Sequence, residues 1–259
     1  FYTDYSKTEI NKYSDVSFFS FAQDKSISSV QGGLAVINNP QFKDAAMNLY
    51  LNVGDQDKSQ GLYNARYIKL WSLIKKHYFT PILPFQSRIT LGKILVMIFR
   101  WMRLIKQQAT SSIDPDLSMN RISEVQSALI LNQLNKCDDM NKRREEITDI
   151  YNERLNSEFK NGDVTKCLLR YPILLSNPVV VMQQLKAHQY ICGRWYNSVV
   201  FPIHRNLDKV WYVSGSCPIA ETLTKGILNL PTNIDLTNEE ATEIAKIVNE
   251  NAKPFKFSN

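Results

Sequence analysis

Two periodicities alternate along this chain, and the alternation restricts what it can fold into. Short runs rich in aromatic and β-branched residues lie at 16–21, 34–37 and 168–175. Between and after them, apolar side chains recur at three- and four-residue steps. Such a chain is α/β or α+β, and neither all-helical nor all-strand. Residues 41–78 read as largely helical, with Ala45, Ala46, Leu49 and Tyr50 on one apolar face, until Pro81 and Pro84 break the pattern. Ser123 with Gln126 predicts a capping box, followed by Val125, Ala128, Leu129 and Leu134 at helical spacing. A second helix is predicted over 138–155, carrying Met140, Arg144, Ile147, Tyr151 and Leu155. A third spans 178–190 and closes near Gly193. The last opens on the capping box of Thr237 and Glu240 and buries Ala241, Ile244, Ile247 and Val248.

Composition narrows the function. The 259 residues are 44% hydrophobic and 22% charged, which is a folded chain with a real core. Only nine glycines are present, and neither G-x-G-x-x-G nor G-x-x-x-x-G-K-[ST] occurs, so simple nucleotide loops are excluded. Lys and Arg number 31 against 25 Asp and Glu, a net charge of +6. Short basic clusters at Lys75-Lys76 and Lys142-Arg143-Arg144, the latter met at once by Glu145-Glu146, are not the stripe of a nucleic-acid binder. The expectation is a mildly basic soluble protein without a nucleic-acid partner.

Cysteines at 137, 167, 192 and 217 form no C-x-x-C, and His77, His188 and His204 are not at zinc spacing with them. Buried reduced thiols, no metal and a cytoplasmic location are expected. No signal peptide is visible, and a chain opening on Phe1 reads as the interior of a longer gene product. The greasy segment Leu91 to Ile105 is interrupted by Lys93, Arg100 and Arg103 and falls short of the roughly 20 residues a span needs. It reads first as a helix packed on the protein or on a second subunit, and second as a peripheral membrane contact.

The most informative stretch follows the first strand. Ser20 ends an aromatic run, Lys25 comes five residues later, and Gly32-Gly33 precedes the next apolar run. A lysine at the edge of a core can lose solvation and act as a nucleophile toward an aldehyde. A serine hydroxyl can donate to a phosphate, and a glycine pair lets the backbone pass close to a ligand. Elsewhere, Trp195 and Tyr196 are candidates to stack on a sugar or nucleotide, against the plainer reading of core aromatics. His204, after Pro202, is a candidate substrate contact, against that of a surface histidine.

The stretch DVSFFSFAQDKSISSVQGGLAVINN resembles the DegT/DnrJ/EryC1/StrS sugar aminotransferases. So do RISEVQSALILNQLNKCDDMNKRREEITDIYNERL, WYNSVVFP and SGSCPIAETLTKGILNLPTNIDLTNEEATEIAKIV, in that order. The resemblance implies a fold-type-I pyridoxal-phosphate enzyme. Residues 1–117 would be the C-terminal part of the cofactor-binding large domain, with a hydrophobic insertion near 91–105. Residues 118–259 would be a helix pair and a small α+β domain.

It implies that Lys25 is the catalytic, cofactor-bonding lysine and that Ser20 binds the cofactor phosphate. Asn120 and Arg121 match the motif that reaches the neighbouring subunit's cofactor, although the family often places its Asn where Met119 stands. Val30 stands where the family often has Gly. The implied reaction moves an amino group from glutamate to a nucleotide-linked keto sugar, for surface polysaccharide, in a homodimer. The family's ring-pairing aspartate lies upstream of the Ser-Phe motif, and neither Asp4 nor Asp15 matches it. That leaves an alternative: a non-catalytic relative acting as a binding or assembly module.

Overall fold

A computed structural model describes residues 13–83, 86–105, 120–160, 167–201 and 210–256. The described residues form two compact units, one up to Asp138 and one from Asp139 onward.

The first unit opens with β1 (Val16–Ser20) and β2 (Gly33–Ile37), paired antiparallel with Val16 opposite Ile37 and Ser20 opposite Gly33. α1 (Lys43–Asn52) follows, then β3 (Gly54–Asp55) and α2 (Lys58–Lys76). The single helical stretch expected over 41–78 is therefore two helices. Asp57 starts the second one, its side chain accepting from the Ser59 amide. The break expected at Pro81 and Pro84 holds an antiparallel pair, β4 (Pro81–Leu83) and β5 (Gln86–Thr90).

α3 (Leu91–Trp101) is the helical part of the greasy segment. Its Gly92 lies against the Tyr78 backbone, where no side chain fits, and donates its amide to His77 O at 2.8 Å. That close start lets Leu95, Val96 and Phe99 pack with Tyr67 and Ile74 of α2. β6 (Asn120–Arg121) then pairs parallel with β3, and α4 (Glu124–Leu134) opens on the expected Ser123–Gln126 capping box.

The second unit holds α5 (Cys137–Arg154) from Asp139 onward, β7 (Arg170–Leu174), α6 (Pro178–Ala187), α7 (Pro218–Gly226), β8 (Ile227–Pro231) and α8 (Asn238–Asn251). β7 and β8 pair antiparallel, Arg170 opposite Pro231. Tyr171 and Ile173 alternate inward from β7, and Leu228 and Leu230 are buried on β8. Ile147, Tyr151 and Leu155 of α5, Val181 and Leu185 of α6, and Ile244 and Val248 of α8 complete this core. The buried Tyr151 hydroxyl donates to Pro231 O at 2.8 Å, and burial pushes its pKa up.

The Thr237–Glu240 capping box starts α8 as expected. α6 stops at Ala187, short of Gly193. Gln189 takes the left-handed conformation there (φ 69°), while Gly193 bridges to Asn229 on β8. All four cysteines are free, but Cys217 is exposed, which corrects the expectation of uniformly buried thiols. Burial pushes the Cys192 thiol up to about 11.

Candidate active site

The loop between β1 and β2 is held from several sides. The Phe21 amide donates to Gly32 O at 2.9 Å and the Ser29 amide to Phe21 O at 3.0 Å, so the strand pair closes over the loop's base. Phe21 and Ile27 point into a small core with Ile130 and Cys137, and Val30 into the α2–α3 core.

Three polar side chains from elsewhere in the unit then grip the loop backbone or flank. Gln133 of α4 accepts from the Ser28 amide (3.0 Å) and donates to the Ser28 carbonyl (2.8 Å). Gln126, fully buried on the same helix, donates to Gln31 O at 3.0 Å and Ser29 O at 3.4 Å. The Tyr67 hydroxyl of α2 donates to Gln23 Oε1 at 2.6 Å. Burial raises the pKa of this phenol despite the hydrogen bonds that oppose it. Buried amide pairs of this kind fix a loop because releasing either partner leaves an unsatisfied polar group.

What the clamp presents is Lys25. Its amide donates to Ala22 O at 3.1 Å in a turn, and its side chain is 39% exposed. Nζ sits 3.1 Å from the Asp24 carboxylate. Ser20 is exposed at the end of β1, and its hydroxyl accepts from the Ala22 amide at 3.3 Å. The glycine pair also meets a need of the backbone itself, with Gly32 at a φ of 113°. A side chain on Gly33 would lie 2.9 Å from the Phe19 carbonyl, so this glycine permits close approach within the strand pair. A primary amine and a hydroxyl on one clamped loop suit the aldehyde and phosphate ends of a pyridoxal-phosphate cofactor.

Arg121 belongs to the same unit, on β6. Its Nε is 2.9 Å from Asp55 Oδ1, and its guanidinium carbon lies 5.6 Å from the Tyr50 ring centroid. Asn120 is exposed beside it. Ile122, the next residue, packs under the loop with Phe21 and Ile27.

Trp195 and Tyr196 lie in the second unit. Their rings stack at 6.1 Å and 9°, Tyr196 also meets Phe201 at 4.7 Å, and Arg170 lies over the Trp195 ring. The Trp195 amide donates to Asn229 Oδ1, and Arg194 donates to the carbonyls of Thr224, Lys225 and Ile227. The pair is therefore anchored to β8, with half of Tyr196 exposed. His204 lies outside the described residues. No group of His, Cys, Asp or Glu able to hold a metal occurs among the described residues.

Sequence reasoning missed Asp24, Tyr67, Gln126 and Gln133 as loop partners. Gln126 was legible only as a capping-box residue. Its second role depends on a loop almost a hundred positions away.

The model of the DegT/DnrJ/EryC1/StrS aminotransferase family matches residues 100–249. The chain is 22% identical to GDP-perosamine synthase of Escherichia coli O157:H7 over 244 residues, covering 93% of this chain and 53% of that protein. Among solved structures, it is similar to Helicobacter pylori PseC, an aminotransferase of pseudoaminic acid biosynthesis. The TM-score is 0.57 at 20% identity, over 92% of this chain and 53% of that one. Spr1654 of Streptococcus pneumoniae in its PMP form gives 0.57 at 16% identity, over 92% and 53%. The chain thus spans about half the length of these relatives.

Proposed function

This chain belongs to the DegT/DnrJ/EryC1/StrS aminotransferase family, and on that premise we propose that it carries the lysine-bearing part of a pyridoxal-phosphate sugar aminotransferase. The reaction is transfer of an amino group from glutamate to a nucleotide-linked keto sugar, in a cytoplasmic homodimer making amino sugars for surface polysaccharide. The observation that carries this reading is Lys25 held out on a loop clamped by Gln126, Gln133 and Tyr67.

When bound, pyridoxal phosphate supplies an electron sink next to the reacting carbon. The chain's own residues do the rest. Lys25 Nζ would hold the cofactor at its aldehyde carbon and would move a proton at the reacting carbon. Asp24 lies 3.1 Å from that amine, an ion pair that opens when Lys25 turns to a ligand. The Ser20 hydroxyl, now an acceptor for the Ala22 amide, still has a proton to donate to a phosphate oxygen. Asn120 and Arg121 are assigned to a partner's cofactor, with Arg121 leaving Asp55. Trp195, Tyr196 and His204 are assigned to the sugar nucleotide.

The test is borohydride reduction of the full gene product with pyridoxal phosphate, followed by peptide mapping. A cofactor mass on Lys25, absent from Lys25→Ala, is the expected result. A full product that carries no adduct at Lys25, or a Lys25→Ala variant that still transaminates, would favour the non-catalytic reading.

A further inference from the structure

The modest net charge conceals a sharp asymmetry. Residues 58–113 contain ten lysines and arginines and not one aspartate or glutamate, while the rest of the chain has 21 basic against 25 acidic residues. The described part of this stretch is mainly α2 and α3, packed on each other through Tyr67, Ile74, Leu95, Val96 and Phe99. Their outer faces are what matter. On α2, Leu62, Arg66, Lys69, Leu73 and Lys76 are exposed at three- and four-residue steps, a stripe of cations and leucines. On α3, Met97 and Ile98 are exposed, Trp101 is 83% exposed, and Met102 follows just beyond the helix. Exposed Arg100 and Arg103 flank them. Apolar side chains left in water forfeit up to about 2 kcal/mol each relative to burial, so an exposed stripe marks a surface that something covers.

We propose that the outer faces of α2 and α3 dock on an anionic lipid bilayer. This goes beyond the aminotransferase reading and does not depend on Lys25. The charge selects an anionic partner, since the exposed Arg66, Lys69, Lys75, Lys76, Arg100 and Arg103, in a stretch without an acid, attract lipid phosphates and carboxylates over a Debye length. The same charge opposes a second copy, whose identical face would meet it with like charges. The aliphatic stripe selects lipid over nucleic acid, because Met97, Ile98 and Met102 have nothing to bury against on a phosphodiester backbone. An indole beside guanidinium groups suits the boundary between headgroups and acyl chains. The attachment is peripheral: α3 has 11 residues, and no helix among the described residues is long and apolar enough to cross a membrane.

The test is co-sedimentation of the 259-residue chain with phosphatidylcholine vesicles, with and without about one-third phosphatidylserine. Pelleting with the anionic vesicles alone, a blue shift in tryptophan emission, and release at roughly 0.5 M salt are expected. Arg66→Gln with Lys69→Gln weakens partitioning by about 25-fold, at about fivefold per cation. Trp101→Ser removes most of the blue shift and about tenfold of the affinity. All three side chains face water, so each variant keeps its thermal midpoint. Absence of pelleting overturns the proposal, as does equal binding by Trp101→Ser. Preference for an oligonucleotide over the vesicles overturns it in favour of nucleic acid. A dimer that Trp101→Ser converts to monomer overturns it in favour of a subunit contact.

Discussion

Val30 shows how opposing small terms decide a position. Its φ of 74° is a left-handed conformation that a β-branched residue enters at a cost of about 1–2 kcal/mol. Its side chain is nevertheless buried against Tyr67, Ile74 and Ile105, worth about 1.5–3 kcal/mol. Val30→Gly relieves the first term, loses the second, and raises the entropy of the unfolded chain. Urea denaturation should therefore show the variant less stable by about 1 kcal/mol, and a more stable variant would mean that strain outweighs packing.

Glu221 gives a pH dependence with a definite sign. Its carboxylate accepts from the Tyr212 hydroxyl and the Gly215 amide, both at 2.6 Å, and these bonds hold its pKa below the ordinary value of 4.5. Their contribution is present above that value and is lost as pH falls through the lower folded-state pKa. Hydrogen exchange at the Gly215 amide should lose protection on acidification below about pH 4.5. In Glu221→Gln that pH dependence should disappear.

At the scale of elements, the hydrogen bonds of α4 to the β1–β2 loop can be separated from the helix itself. Gln133 lies in the last turn, away from the capping box, and bonds both polar groups of Ser28. Gln133→Leu leaves those groups unpaired, at a cost of about 1–3 kcal/mol. It should leave helix content by circular dichroism unchanged while reducing borohydride labelling of Lys25. Equal labelling would make the clamp dispensable.

Here the reach of the sequence is clearest. Ser123–Gln126 and Thr237–Glu240 were legible because a capping box is local. The partners of the loop were not, since Ser28 and Gln133 are brought together only by the fold. Nor did periodicity reveal that Leu49 and Tyr50 of α1 stay exposed. A helical stripe says which side is apolar and is silent about what covers it. β8 was missed for a related reason, as ILNLP alternates over too few residues to separate it from the end of α7.

For the whole molecule, α1 matters more than any single residue. None of its residues is buried, and Met47, Leu49, Tyr50 and Leu51 are all more than half exposed. On the neighbouring strand pair, Phe18 is 81% exposed. A chain that spans half of its relatives' length and shows this surface should self-associate by itself. Sedimentation velocity should show concentration-dependent species that Leu51→Lys with Phe18→Lys suppresses, and a monomer at all concentrations would refute this.

The pairing of β3 with β6 is only two residues long, Gly54 with Asn120 and Asp55 with Arg121. Its consequence is evolutionary. The chain departs and returns about 4.8 Å apart, one strand spacing. Whatever lies between residues 55 and 120 can be exchanged for a longer or shorter excursion without moving either strand. The membrane-docking helices are thus a cartridge seated in a fixed socket. Tyr67 of that cartridge donates to Gln23 Oε1 of the lysine-bearing loop at 2.6 Å. An exchange of that excursion must keep the Tyr67 bond to Gln23 and the packing under Val30 if Lys25 is to stay where it is.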